Sequence, residues 1–276
     1  MSDVSVIIPC YNQGQYIDEA INSVLNQTHQ NFEIIVVNDG STDEPTINKL
    51  KGIKGPKIKV IHTSNQGLPS ARNNGIKEAQ SDIILPLDSD DKIAPNYIEK
   101  ALKIMRKKPA IGIVYCRAKL FGAKKGTWDL TEYSLGKMLF NNIIFASSFF
   151  WRDDWVKVKG YNPNMKYGWE DWDFWLSIIS MGKKVIQIPH FLFFYRIERQ
   201  SMLQRQSPQQ KIEMHRQIFL NHQGLFQDNL LEFFEEIYRM QHLCNRSLFD
   251  RFVNDKLRHP IQTLNNQKRR FNVTPL

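Results

Sequence analysis

Four times within the first 105 residues, a short apolar run rich in β-branched residues leads into a polar loop and then into apolar residues at helical spacing. "VSVIIPC" (4–10) passes through "YNQGQ" into "YIDEAINSVLNQ", which is apolar at 17, 20, 21, 24 and 25. "FEIIVVND" (32–39) precedes a helical pattern after "GSTDEP", "KIKVIH" (57–62) precedes one through "PSARNNGIKEA", and "DIILPL" (82–87) precedes "PNYIEKALKIMRKK". Short apolar runs mark strands and a period near 3.6 marks helices. Strands connected through helices run parallel, and a parallel sheet buries both faces. The alternation therefore restricts the chain to an α/β fold, a Rossmann-like and mainly parallel sheet flanked by helices. Ligands of such sheets bind beyond the carboxyl ends of the strands. The loops at those ends, "CYNQGQ", "NDGSTD", "TSNQGL" and "LDSDD", are rich in Gly, Asn and Asp and are expected to converge on one site.

Past residue 110 the rhythm changes to strand-like "IGIVYCRAKLF" and "NIIFASSFFW", a helix over "WEDWDFWLSIISMG", and strands at "KKVIQIP" and "FLFFYR". From Pro208 to Leu257 the pattern is helical. Phe226, Phe233, Phe234 and Tyr238 are expected to pack on the rest of the chain or on a second copy, which would make a homo-oligomer. The length of 276 residues suffices for one large α/β domain with an appended piece. Cysteines at 10, 116 and 244 are too few and too far apart for a disulfide framework or a metal-binding CxxC pattern, which fits a reducing, cytoplasmic setting. Met1 stands just ahead of the first strand, leaving no room for a signal peptide, and no run reaches the ~18 apolar residues of a membrane span. The 37 Lys and Arg outnumber the 28 Asp and Glu, and the net charge of +9 suggests an anionic partner. A nucleic-acid partner is not expected, because no recognition motif is present and the basic residues are dispersed. "QKRRF" (267–271) suits a peripheral contact with the inner face of a membrane.

Within this basic chain, Asp88, Asp90 and Asp91 fall in four consecutive positions directly after an apolar run. Carboxylates packed that closely repel unless water, a turn or a cation compensates them. Two readings stand side by side, a solvated acidic turn capping the following helix and a pair of hard oxygen ligands for a divalent cation. Asp39 ends a strand ahead of Gly40, where Asn-Asp-Gly-Ser makes a good turn with or without a ligand. Glu170 and Asp171 precede a helix whose N-terminus favours the ionised form of a nearby carboxylate. Asp173, two residues on, points elsewhere. Trp169 is balanced between a site and the core, while Trp175 reads as core. His215 and His222 are a heptad apart and read as surface or packing residues.

In their order along the chain, "SVIIPCYNQ", "VVNDGSTD", "NQGLPSARNNG", "LPLDSDD" and "WEDWDFW" make residues 4–202 resemble the inverting glycosyltransferases of family 2, which have the GT-A fold. The resemblance implies a catalytic domain over 1–205, with a nucleotide-sugar part (1–117) and an acceptor-side part (118–205), followed by a helical extension over 206–276. It implies transfer of a sugar from a nucleotide donor, a UDP-sugar by the match at Asp39, to a hydroxyl of a glycan or lipid-linked glycan. Asp88-Ser89-Asp90 matches the D-x-D position, with Asp90 as ligand of Mn²⁺ or Mg²⁺ and Asp88 at the ribose, sugar or metal. Pro9, Tyr11, Asp39 and Arg72 match positions around the base, and Asp171, beside Glu170, matches the general base. Where the family often carries a His after the last strand, "YRIERQS" has Glu198, an uncertain metal contact. Arg196, Arg199 and Arg205 nearby can offset phosphate charge. A catalytically silent nucleotide-sugar-binding or scaffolding protein of the same fold is the alternative. A nucleotidyltransferase is disfavoured, because "PCYNQGQ" carries no Lys or Arg.

Overall fold

The computed structural model describes residues 2–198 and 206–257, with only the helical backbone described from 244 onward. Arg199, Arg205 and the basic segment 267–271 lie outside the described residues. The first half alternates as expected: β1 (Val4–Cys10), α1 (Ile17–Leu25), β2 (Phe32–Asp39), α2 (Glu44–Gly52), β3 (Ile58–Thr63), α3 (Leu68–Lys77), β4 (Ile83–Pro86), a short β5 (Lys92–Ile93) and α4 (Tyr97–Met105). Then follow β6 (Ile111–Gly122), β7 (Gly126–Trp128), α5 (Leu135–Phe140), β8 (Phe149–Trp151), α6 (Arg152–Lys157), α7 (Glu170–Ser180) and β9 (Lys184–Ile197). Helices α8 (Pro208–Asn221), α9 (Gln223–Asp228) and α10 (Leu230–Leu257) come last.

The strands form one sheet in the order β3-β2-β1-β4-β8-β6-β9-β5, with β7 pairing β6 off this path. The pairs β1–β2, β2–β3, β1–β4 and β6–β9 are parallel. β8 runs antiparallel to both β4 and β6, and β5 antiparallel to β9. β1 is buried at every position and β2 at all but one, as strands covered on both faces must be. Pro9 and Pro86 both sit at the carboxyl ends of central strands, where a missing N–H interrupts the ladder least. Helix α1 buries Ile17, Ala20, Ile21 and Val24 on the sheet, while α2 starts from Asp43, whose carboxylate accepts the Thr46 N–H at 2.9 Å.

Two expectations about strands change. "NIIFASSFFW" contributes only Phe149–Trp151 as strand. The Asn142 side chain accepts the Ile144 N–H and the Ser148 hydroxyl donates to Phe145 O, local bonds that compete with a ladder. "KKVIQIP" and "FLFFYR" form the single strand β9, with register shifts against β6 around Cys116–Ala118. The boundary at residue 117 between the two parts expected of one domain lies within β6, in the single sheet.

The C-terminal helices dock on this body. Ser207 and Gln210 close a capping box ahead of α8, and Pro208 occupies its first turn. Met214, Ile218 and Phe226 are buried and Phe233 is half-buried, whereas Phe234 and Tyr238 remain 58% and 64% exposed. The four aromatics therefore do not share one buried face. At 100° per residue, seating Phe233 turns the adjacent Phe234 outward.

Helix α3 approaches β1 and β2 closely because Gly75 presents no side chain. A Cβ there would lie 2.9 Å from Val37 Cγ2 and closer still to Ile7 Cγ2. We expect Gly75→Ala to destabilise the fold by about 1–3 kcal/mol through overpacking, read from the midpoint of a urea unfolding curve.

Candidate functional site at the carboxyl ends of the strands

The loops after β1, β2, β3 and β4 meet, and side-chain amides and carboxylates bind them together. Asn12, at φ 53°, accepts the N–H groups of Thr42 (2.8 Å) and Asp43 (3.2 Å), while its own N–H donates to Ser41 Oγ. Gln13 reaches the acidic turn, where its Oε1 accepts the Ser89 hydroxyl at 2.6 Å. Asp39 is buried and braces the loop after β3, taking the Gln66 N–H (3.0 Å) on Oδ1 and the Gly67 N–H (2.9 Å) on Oδ2. The Thr63 hydroxyl donates to Oδ1 at 3.3 Å. Tyr11 is 44% exposed, and Pro9 is buried near the end of β1.

Arg72, matched by the resemblance to a position near the base, is enclosed between the two acidic segments. It is 1% exposed, and its guanidinium joins the two acidic segments: Nη2 donates to Asp88 Oδ1 at 2.7 Å and Nη1 to Glu170 Oε1. Its Nε has no partner among the described residues. The Tyr161 ring covers the guanidinium at 5.5 Å, and Asn73 fixes Tyr161 by accepting its N–H and donating to its carbonyl. A buried cation is tolerated only with such pairing.

The three aspartates of "DSDD" have three fates. Asp88 is bound by Arg72. Asp91 is buried, its N–H closing a turn on Asp88 O and its Oδ1 accepting the Arg196 N–H at 2.7 Å. Among the described residues, the side chain of Asp90 meets only the Gln13 amide, at 3.5 Å. Burial, with the Asp88 charge adding to it, pushes Asp90 up to about 6, and burial drives Asp91 upward as well. Arg196, expected at phosphates, is already engaged: Nε donates to Asp90 O, Nη2 to Glu19, and the guanidinium lies 4.3 Å from the centres of both the Tyr16 and Phe121 rings.

The acidic pair opens α7 behind two left-handed residues, Gly168 (φ 100°) and Trp169 (φ 64°). No side chain of the described residues caps this end, and Asp171 Oδ1 accepts the Trp172 N–H at 2.8 Å. Asp171 was expected to be held ionised by the helix N-terminus. Instead burial, then the neighbouring Glu170 charge, raise it to about 7, outweighing Arg72 and the backbone N–H. Trp172 and Trp175 are core, donating to Met138 O and Ile144 O, and Trp169 is half-buried against Trp172. His222, read as a surface or packing residue, is buried with Nε2 3.0 Å from Asp173 Oδ1.

Asp90 and Asp88 suit a hard divalent cation, since a buried carboxylate pushed upward by a like charge is what a cation relieves. Among the described residues, no group of three or more His, Cys, Asp or Glu side chains is placed to hold a metal. Glu198 accepts from the Tyr16 hydroxyl, which raises that phenol above its ordinary value. Gln13, Asn73, Arg196 and His222 were not legible as organisers. Gln13 and Asn73 fall inside motif stretches, yet their partners lie 76 and 88 residues away.

Residues 5–174 match the family model described as glycosyl transferase family 2. An uncharacterised glycosyltransferase of Rickettsia bellii is 49% identical over 104 residues, 37% of this chain and 15% of that protein. The chondroitin synthase of Pasteurella multocida is 31% identical over 186 residues, 65% of this chain and 19% of the synthase. The chain thus spans less than a fifth of these relatives' lengths. The crystal structure of S. aureus TarS 1–349 in complex with UDP superposes with a TM-score of 0.61 at 21% identity, over 79% of this chain and 65% of TarS 1–349.

Two measurements check the electrostatics. Arg72→Met leaves two carboxylates without their buried cation and is expected to destabilise by about 3–5 kcal/mol in chemical denaturation. Asp171 binds its proton more tightly folded than unfolded, so its contribution is most favourable below the ordinary value of 3.8 and declines as pH rises through about 7. Asp171→Asn should therefore raise the melting temperature relative to the parent chain at pH 8 and change the difference little at pH 4.

Proposed function

The chain belongs to glycosyl transferase family 2 and has the GT-A fold, and from that footing we propose that it is an inverting enzyme moving a sugar from a UDP-sugar to a hydroxyl of a glycan or lipid-linked glycan. The observation that carries this is the pairing of one buried cation, Arg72, with both acidic segments, Asp88 of the D-x-D turn and Glu170 beside Asp171. A donor site and a base site are thereby fixed relative to each other, which is what a single displacement requires.

In this reading Tyr11 offers its ring to the nucleobase and Asp39 accepts the imide N–H of uracil. An ionised carboxylate has about four acceptor sites, and the Gln66, Gly67 and Thr63 donors use three. Asp88 faces the ribose or sugar with the oxygen that Arg72 leaves. Asp90, with Asp88, holds Mn²⁺ or Mg²⁺; a cation bound there supplies neutralisation of charge on the departing diphosphate. The acceptor oxygen forms its bond to the anomeric carbon from the face opposite the diphosphate. The bond from that carbon to the diphosphate oxygen breaks, the electron pair leaves with the diphosphate, and the acceptor proton passes to the Asp171 carboxylate. A base near pH 7 is well matched to neutral conditions, so the raised value at Asp171 supports this role rather than opposing it.

Residues 1–205 are proposed as the catalytic domain and 206–276 as its extension. Among the described residues no helix is long and apolar enough to cross a membrane. We place the protein in the cytoplasm, with a peripheral contact at the inner membrane face where a lipid-linked acceptor resides.

A thermal-shift titration with UDP, with and without Mn²⁺, tests the donor half. At about 100 times Kd, ligand binding adds about 2.7 kcal/mol, and a shift that needs the metal is expected for the parent chain. Asp90→Ala should abolish the metal-dependent part. Asp171→Asn should keep the full shift and lose transfer; near-normal turnover by Asp171→Asn would remove it as the base.

A further inference from the structure

The start of α7 holds the proposed base, yet nothing within the helix secures it. Its N-cap residue, Trp169, is left-handed and offers no side-chain cap. The helix is held from two sides instead. On one, Arg72 grips Glu170. On the other, the buried carboxylate of Asp173 is gripped by residues beyond the family match, which ends at 174. Asn221 Nδ2 donates to Asp173 Oδ1 at 2.7 Å, and His222 Nε2 approaches the same oxygen at 3.0 Å. A carboxylate only accepts, so His222 presents its proton on Nε2. The same helix sets His215 edge-on against Trp169, 4.6 Å between ring centres, and the Gln206 amide just ahead of it donates to Tyr167 O. Two residues apart on a helix, Asp171 and Asp173 point to nearly opposite sides, so the C-terminal helices brace α7 from behind while Asp171 faces the site.

We propose that α8 is a positioning element of the transfer reaction: Asn221 and His222, through Asp173, hold the first turn of α7 so that Glu170 and Asp171 stay in register with Arg72 and the D-x-D turn. The inference rests on Asp171 acting as the base. The loops after β1, β2 and β3 are tied to one another through Asn12 and Asp39, so loosening the brace changes the chemical step and leaves nucleotide binding intact.

The test uses the full chain and the variants His222→Ala and His222→Gln, the latter keeping an N–H donor of similar reach. Three quantities are read: UDP affinity by calorimetry, the rate of UDP release from saturating UDP-GlcNAc, and hydrogen exchange over residues 168–173. His222→Ala is expected to slow release about ten- to a hundred-fold with UDP affinity unchanged, the penalty of a small misplacement at the reacting centre. Exchange over 168–173 should accelerate, and His222→Gln should reverse both effects. Equal loss of UDP affinity and rate, or an unchanged rate despite faster exchange, overturns the positioning role. Should His222→Ala fail to fold, Asn221→Ala, which removes the other bond to Asp173 from an exposed position, is expected to give the same split, and an unchanged rate there overturns it equally. A parent chain that neither binds UDP nor releases it counts against glycosyl transfer itself. The exchange data then decide the brace alone, unaltered exchange in His222→Ala overturning it.

Discussion

A single guanidinium, that of Arg72, sits where the N-terminal sheet half meets the helix carrying the acidic pair, and its ion pairs to Asp88 and Glu170 span 16 and 98 residues of chain. Burying a cation costs far more than one surface ion pair returns, so this residue is stable only while both partners are in place. The requirement runs both ways. Without Arg72, two carboxylates of the site would face each other and Asp171 with no compensating charge nearby. The Asn73 bonds to Tyr161 and the closeness that Gly75 permits make better sense in this light, because both keep α3, and hence Arg72, pressed against the sheet.

The remaining electrostatics follow from an acid-rich site with its cations already engaged. Arg72 is enclosed and Arg196 is spread across Glu19, the Asp90 carbonyl and two aromatic faces. Asp90, Asp91 and Asp171 are consequently all raised, each chiefly by burial and further by its acidic neighbours. Such an arrangement lowers stability near neutral pH, and under the proposed function it suits a cation at Asp90 and proton uptake at Asp171. This is the expected trade between a stable fold and a competent site.

Much of the fold was legible because parallel β/α alternation leaves a strong local trace. The apolar runs of β1 and β2, the helical spacing of α1 and α4, and the polar loops at the strand ends are all short-range patterns. The ordered motifs identified the family on the same basis. What failed was where long-range partners compete with local signals. Residues 142–148 are apolar enough for a strand yet are turned aside by Asn142 and Ser148. Asp171 was assigned a favourable helix N-terminus, but burial beside Glu170 outweighed that dipole. Of the C-terminal aromatics, Phe226 and Phe233 reach the body of the protein while Phe234 and Tyr238 remain exposed, a split that helical spacing alone does not give.

The amino-acid sequence by itself determined the α/β class, the strand-end loops that form the site, and the acidic residues at 88, 90, 170 and 171, since these depend on periodicity and local composition. Only the tertiary structure decided what each charge does. Arg72 became a tie between Asp88 and Glu170, Asp91 a buried acceptor for the Arg196 N–H, and Asp173 the anchor for Asn221 and His222. The physical reason is that a side chain's ionisation and role depend on burial and on charges within a few ångströms, and neither is encoded in the neighbours along the chain.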